Sequence, residues 1–380
     1  MADASVALLD VPLAIGNSNI HDPAEEGSSM LDAAAMPPLY PLLGKERHFD
    51  VGMIIKTATQ DFSNNIGDGG YSIVYKGQLP DGTVIAAKCF KESRLTDKGR
   101  GDFLREVKVM STRTHVNLAK LLYYCQEGVK WILVYEWMEN SSLDRHMFGT
   151  QENRSHSSLN WAQKLEIIRG VAVGVEFLHS KQVIHRDLKP GNILLDGSWN
   201  PKVADFATAK LFIDEQTDPT LVLTPGYVAP EYIGEGALTY KCDVYSFGVV
   251  LLQIVSGKRR ADTPRFLLPT YQLWKEGKSW ELLAQEVAEP RARGEVLFWL
   301  ARCIQIGLLC VQHSPGDRPD MSEVVTMLTN TSSQVDTPLE PTPNSGAVPG
   351  AQPGPSRTFV PWLFCSCGRD SASPGTEATV

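Results

Sequence analysis

Apolar residues recur at three- and four-residue steps at Leu165, Ile168, Ala172, Val175 and Leu178, which predicts an amphipathic helix over Trp161–His179. Longer apolar runs over Asp243–Ser256 and Val296–Gln312 predict buried helices, the second with Arg302 and Gln305 set inside it. Upstream the rhythm differs. Tyr71–Lys76 and Thr83–Phe90 are β-like and flank Pro80-Asp81-Gly82, a hairpin signal. Gly101–Ser111 reads as a helix with Phe103, Leu104, Val107 and Met110 on one face, and Leu118–Tyr124 and Trp131–Tyr135 read as two further strands. The pattern divides the chain into a small β-rich unit with one helix, a linker near 136–141, and a larger helical unit. A cleft between two such units is a natural place for a small ligand.

The ends lack this patterning. Residues 1–48 mix Ala, Pro, Asp and Ser without sustained periodicity and are expected to be disordered. Residues 331–380 turn rich in Pro, Ser, Thr and Gly, the composition of a flexible tail. The expected folded body is therefore 49–330. Its hydrophobic and charged contents, 43% and 21% over the whole chain, are those of an ordinary globular protein. A net charge of -8 argues against a nucleic-acid partner held by phosphate neutralisation, but not against one bound nucleotide. Cys89, Cys125, Cys242, Cys303 and Cys310 lie scattered, mostly beside apolar residues, and read as reduced buried thiols. No secretory start is visible, position 2 is Ala rather than a myristoylated Gly, and no apolar run reaches the roughly 18 residues that span a bilayer.

Three stretches carry chemistry. His185-Arg186-Asp187-Leu188-Lys189-Pro190-Gly191-Asn192 places a carboxylate, an ammonium and a carboxamide in one short loop before Ile193-Leu194-Leu195. Singly these residues read as a polar turn before a buried strand. In this order they offer a base, a phosphate clamp and a metal ligand, which phosphoryl transfer needs. Ile66-Gly67-Asp68-Gly69-Gly70-Tyr71-Ser72-Ile73-Val74 is a Gly-rich turn whose backbone can approach phosphate oxygens, although a plain hairpin would look alike. Lys88 follows it by about twenty residues, in Ile85-Ala86-Ala87-Lys88. Asp205 stands 18 residues after Asp187, and Asp205 and Asn192 are oxygen donors of the kind a hard cation takes.

In order and spacing these stretches resemble the motifs of eukaryotic protein kinases over about 66–330. The resemblance implies an α+β fold of two lobes, a β-rich N-lobe over about 60–136 and a mainly helical C-lobe over about 141–330. It implies ATP as the nucleotide, with Mg²⁺ or alternatively Mn²⁺ held by Asn192 and Asp205. Asp187 would take or orient the acceptor proton, Lys189 would steady the transferring group, and Lys88 would hold the phosphates. Glu106 matches the helical partner of Lys88, and Glu92 is too near in sequence for that place. The nucleotide would lie among Ile66, Gly67, Asp68, Gly69, Gly70, Tyr71, Ser72, Ile73 and Val74, with Ala86 and Leu194 as further walls. Tyr135 would gate the back of the pocket, and Glu136 and Met138 would offer hinge backbone to adenine. Glu231 in Ala229-Pro230-Glu231, Asp243 and Arg318 match structural positions, and Thr224 matches the threonine lining the acceptor site.

Four strings bring the chain nearer to plant receptor-like kinases of the cysteine-rich and S-domain groups. They are Val74-Tyr75-Lys76-Gly77, Leu133-Val134-Tyr135-Glu136, Asn140-Ser141-Ser142-Leu143-Asp144 and Ile306-Gly307-Leu308-Leu309-Cys310-Val311-Gln312. With neither ectodomain nor membrane span, the chain is similar to a receptor-like cytoplasmic kinase. That implies a Ser/Thr kinase acting on protein substrates, with a receptor-like kinase as partner, in the cytoplasm or peripherally at the plasma membrane. Lys189 goes with Ser/Thr acceptors in that family. Thr217 and Thr220 are candidate phosphosites that could pair with Arg186. Cys365 and Cys367, beside Trp362 and Phe364, are either palmitoylated or unmodified tail cysteines, and membrane association depends on the first. The chain departs from the family at Ser72, Ala207 and Leu223, where glycines are usual. Ala207 is expected to be strained if its φ must be positive. These changes motivate a low-activity or inactive nucleotide-binding scaffold as the alternative.

Overall fold

The structure is a computed structural model and describes residues 51–69, 71–127, 130–148, 159–211, 224–257, 263–282 and 293–341. Gly70, Thr217, Thr220, Leu223, Cys365, Cys367 and the segment 1–48 lie outside the described residues, as does the tail beyond 341.

The chain opens with helix α1 (Val51–Ala58), then β1 (Asn65–Asp68), β2 (Ser72–Gln78), β3 (Val84–Phe90), α2 (Asp97–Met110), β4 (Leu121–Glu127) and β5 (Lys130–Glu136). The five strands form one antiparallel sheet in the order β1-β2-β3-β5-β4. The Pro-Asp-Gly hairpin closes as its sequence implies. Gly82 takes φ 88°, its N–H donates to Leu79 O, and Asp81 Oδ1 accepts the Thr83 N–H. Helix α1 seals one face of the sheet, with Ile55 fully buried among Leu79, Ile85, Ala87, Cys125, Ile132 and Val134. Helix α2 packs through Phe103, whose ring meets Phe90, Tyr124 and Trp131 at 5.5, 6.4 and 5.8 Å. It starts earlier than the apolar pattern suggests because Thr96 caps it, accepting from Gly99 N–H.

The strand expected from Leu118 instead begins at Leu121. Leu118 and Ala119 are buried, but they bond elsewhere. Leu118 bridges Val203 in parallel, and Ala119 N–H donates to Val203 O at 2.9 Å. The apolar run is thus shared between the sheet and the larger lobe.

That lobe comprises α3 (Leu143–Phe148), α4 (Trp161–Ser180), the short strands β6 (Val183–Ile184), β7 (Ile193–Leu195), β8 (Pro201–Val203) and β9 (Lys210–Leu211), then α5 (Pro230–Gly234), α6 (Tyr240–Ser256), α7 (Thr263–Lys275), α8 (Arg293–Cys310) and α9 (Met321–Thr329). Strand β6 pairs with β9 and β7 with β8, two small ladders that frame the loops between them. Helix α4 begins in a capping box of Asn160 and Gln163 and buries the predicted stripe from Leu165 to Leu178, together with Ile167 and Val171. Helices α6 and α8 approach closely at two glycines. A Cβ on Gly248 would lie 2.6 Å from the Cys310 Cβ, and one on Gly307 2.7 Å from Leu252 Cδ2. Cys125, Cys242, Cys303 and Cys310 are buried, Cys89 is half-buried, and all five are free thiols. Among the described residues, no helix is long and apolar enough to cross a membrane.

The start of the expected tail is part of the folded body. Arg302 Nη2 donates to the carbonyls of Asn330 and Ser333, Gln305 Nε2 to those of Val335 and Asp336, and Gln312 Nε2 to that of Leu339. Composition misleads at 331–341 because Arg302 and Gln305 on α8, with Gln312 just past its end, grip backbone carbonyls, which any residue supplies.

Candidate active site

The loop between β6 and β7 holds His185–Asn192. Its polar residues are buried, so each needs a partner. Asp243 on α6 supplies the anchor. Its Oδ2 accepts from His185 N–H at 2.7 Å and from His179 Nε2 at 3.0 Å, and its Oδ1 accepts from Arg186 N–H at 2.9 Å. Burial alone would raise the Asp243 carboxyl, but the hydrogen bond and charge of His179, with His185, hold it below the ordinary range. Arg186 is thereby fixed at φ 70°, and its Nη2 donates to Tyr232 OH. His185 Nδ1 accepts from Asp187 N–H and its Nε2 faces Ala204 O, a pattern that suits a hydrogen on Nε2.

Asp187 stands at the centre. Its Oδ2 accepts from Lys189 Nζ at 2.6 Å and from Asn192 Nδ2 at 2.9 Å, and its Oδ1 from Thr224 Oγ1 at 2.5 Å. Thr224 also lies 3.4 Å from Lys189 Nζ. Asn192 Nδ2 donates to Asp187 O as well, which leaves Oδ1 as the atom of that amide able to ligate a cation.

Across the cleft, Lys88 on β3 reaches Glu106 on α2 at 3.1 and 2.8 Å and Asp205 Oδ1 at 2.9 Å. Burial disfavours its charge, but Asp205 and Glu106 outweigh that and hold Lys88 above the usual lysine range. Burial pushes Glu106 above the usual carboxylate range with Asp205 adding, while Lys88 pulls it back. For Asp205, Lys88 and Lys189 overcome burial and keep the carboxyl low, hence ionised. Glu92 is exposed in a separate 3₁₀ turn and takes no part.

Sequence reasoning missed one partner here. Tyr135 OH donates to Glu106 Oε1 at 2.5 Å, so the residue expected to gate the pocket also holds the carboxylate that holds Lys88. A tyrosine on β5, opposite Ala86 of β3, was the available signal.

Ala207 does not carry the strain expected of it. Within Asp205-Phe206-Ala207 the left-handed position is Asp205, at φ 67°, and Ala207 does not have a positive φ. Ala207 is buried, and its carbonyl accepts from Arg105 Nη1 at 2.6 Å, beside Glu106 on the same helix. Phe206 packs on the His185 ring, 4.9 Å between centroids. Glu231 and Arg318 form a buried two-point ion pair at 2.7 and 2.8 Å.

Between the lobes lies a cavity of about 320 Å³, within the range of small-ligand sites. Ile66, Gly69, Ser72 and Val74 line it from the Gly-rich stretch. Ala86, Lys88, Tyr135, Glu136, Met138 and Leu194 complete the expected walls. Asn192 and Asp205 line the same cavity. Gly67, Asp68, Tyr71 and Ile73 do not. Ile73 alternates with Ser72 and Val74 and faces the other side of the strand, and Asp68 turns to Lys91 Nζ at 2.6 Å. Glu136 directs its carboxylate to Lys120 N–H and Lys202 Nζ rather than inward. Two protein oxygens beside a nucleotide-sized cavity fit Mg²⁺, which takes few protein ligands and fills its octahedron with phosphate oxygens and water.

The family model described as protein kinase domain matches residues 61–279. The chain is 40% identical over 320 residues to the Arabidopsis thaliana G-type lectin S-receptor-like serine/threonine-protein kinase SRK, covering 79% of this chain and 37% of that protein. It is 42% identical over 301 residues to Cysteine-rich receptor-like protein kinase 10 of the same plant, covering 76% of this chain and 44% of that protein. Against Cysteine-rich receptor-like protein kinase 44, also from Arabidopsis thaliana, it is 39% identical over 310 residues, 77% of this chain and 80% of that protein. The chain thus spans less than half the length of the first two relatives.

Proposed function

Since the chain belongs to the protein kinase family, we propose that it transfers the γ-phosphate of ATP to serine and threonine hydroxyls of proteins. The observation that carries this reading is the setting of Asp187. One carboxylate meets Lys189, Asn192 and Thr224, and Asn192 lines the cavity together with Lys88 and Asp205.

In this reading ATP brings the phosphoryl group, and Asn192 and Asp205 would hold a Mg²⁺ that would offset its charge. The chain's own groups do the rest by position and charge. Asp187 orients the acceptor hydroxyl and takes its proton. Lys189, 2.6 Å away, supplies positive charge beside it. Lys88, clamped by Glu106, presents its ammonium to the nucleotide phosphates, and Ala86, Val74 and Leu194 offer apolar walls to the base. Thr224 touches both Asp187 and Lys189, which supports a small aliphatic hydroxyl as the acceptor. The scaffold alternative has no observation in its favour, since every group it would need to lack is in reach of its partner.

The names of the relatives support protein substrates and a place in a receptor complex. Membrane attachment would rest on lipidation of Cys365 and Cys367. The test is phosphoamino-acid analysis after incubation of the purified full chain with radiolabelled ATP, Mg²⁺ and a mixed acceptor protein. Phosphoserine and phosphothreonine are expected. Phosphotyrosine alone, or no transfer, would overturn the reading.

A further inference from the structure

Helix α3 sits at the mouth of the cleft and is tied firmly to the larger lobe. Leu143 is fully buried, Ser142 bridges Leu194, and His146 Nε2 contacts Asn140 O at 2.6 Å while its ring meets Trp199. From this fixed base the exposed Arg145 reaches the other lobe, and its Nη2 donates to the Ile66 carbonyl at 3.2 Å. Ile66 is the place where the chain can offer that carbonyl. The register between β1 and β2 slips between Asn65 and Gly67, so Ile66 is the extra residue of a bulge with no opposite partner. Ile66 and Arg145 both line the cavity, on either side of its opening.

We propose that Arg145 is a positioning residue that latches the roof of the cleft to its floor and gates nucleotide exchange. As a rim contact between a side chain and a backbone carbonyl, the bond is proposed to hold alike in the free and the nucleotide-bound protein. Widening the mouth for a nucleotide to pass requires breaking it. A latch that is the same in both states changes the rates of passage and leaves the affinity alone. A residue that instead touched the nucleotide would change affinity through the off-rate. This inference rests on the cleft being the nucleotide site.

Stopped-flow fluorescence of mant-ADP with Mg²⁺, on the full chain and on Arg145→Ala and Arg145→Gln, tests it. Loss of one charge-assisted but solvent-exposed hydrogen bond is expected to raise both association and dissociation rates by about three- to tenfold. The Kd should stay within about twofold, because one factor multiplies both rates. Arg145 is exposed and loses one bond, so melting temperatures are expected to fall by no more than about 2–4 °C. Unchanged exchange in both variants would overturn the latch, and so would faster dissociation with unchanged association, which would mark direct ligand contact. Wild-type protein that takes up no mant-ADP would overturn the nucleotide-site reading itself.

Discussion

The phenol of Tyr135 donates to the same Glu106 carboxylate that clamps Lys88, joining β5, α2 and β3 behind the cavity. Burial and the neighbouring Glu106 push Tyr135 well above the ordinary phenol range, so it stays a donor at any working pH.

Tyr135→Phe keeps the ring and removes that donor. Glu106 is 1% exposed and would lose one of its two partners. The expected loss of stability is about 1–3 kcal/mol, the cost of under-satisfying a buried charged group. Thermal unfolding checks it, and a weaker affinity for ATP is expected alongside because Lys88 is less well placed.

Asp243 makes a pH-dependent anchor. Its folded value is lowered, so its contribution is fully present above the unfolded aspartate value and is lost as pH falls through the folded value. Urea unfolding of the wild type should weaken from about pH 4 downward. Asp243→Asn cannot accept from both His185 and Arg186 N–H through two oxygens, so it is expected to be less stable at neutral pH and to show a flatter acid limb.

The thiols of Cys242, Cys303 and Cys310 are each pushed up to about 12, by burial first. A raised value contributes stability below the unfolded thiol value, lost as pH rises through the folded one. Stability is therefore expected to decline above about pH 9 as the unfolded thiols ionise. At pH 8 these three should resist a thiol reagent such as DTNB until the chain is unfolded, which timed labelling can follow.

Ending the chain at Asn330 would strip the carbonyls of Ser333, Val335, Asp336 and Leu339 from Arg302, Gln305 and Gln312. Several part-exposed hydrogen bonds amount to roughly 2 kcal/mol, or about 4–8 °C in Tm. A chain ending at Pro341 keeps them and is the reference for that melting experiment.

The sequence was most legible where periodicity is strong and chemistry is local. The α4 stripe from Leu165 to Leu178 lands in the core, and the Pro80-Asp81-Gly82 hairpin forms where its residues require. What could not be read depends on contacts distant in sequence. Leu118 looks like strand, but its partner, Val203, is 85 residues away (203 minus 118). The segment 331–341 looks like linker because its ordering comes from α8 side chains rather than its own. Helix α1 was invisible because a short helix ahead of a Gly-rich strand gains its stability from the sheet beneath Ile55. In the cleft, motif spacing implied a shared site for Lys88, Glu106, Asn192 and Asp205, which line one cavity with Asn192 bonded to Asp187, whereas Asp68 and Ile73 point away for reasons of strand alternation and a lysine at position 91.

The central claim is that Asp187 is the group that handles the acceptor proton. Single-turnover phosphate transfer by Asp187→Asn, with ATP affinity measured on the same preparation, tests it most directly. Transfer is predicted to fall by about 10²- to 10⁴-fold while ATP binding is largely kept. Transfer at the wild-type rate in a variant that still binds ATP would contradict it.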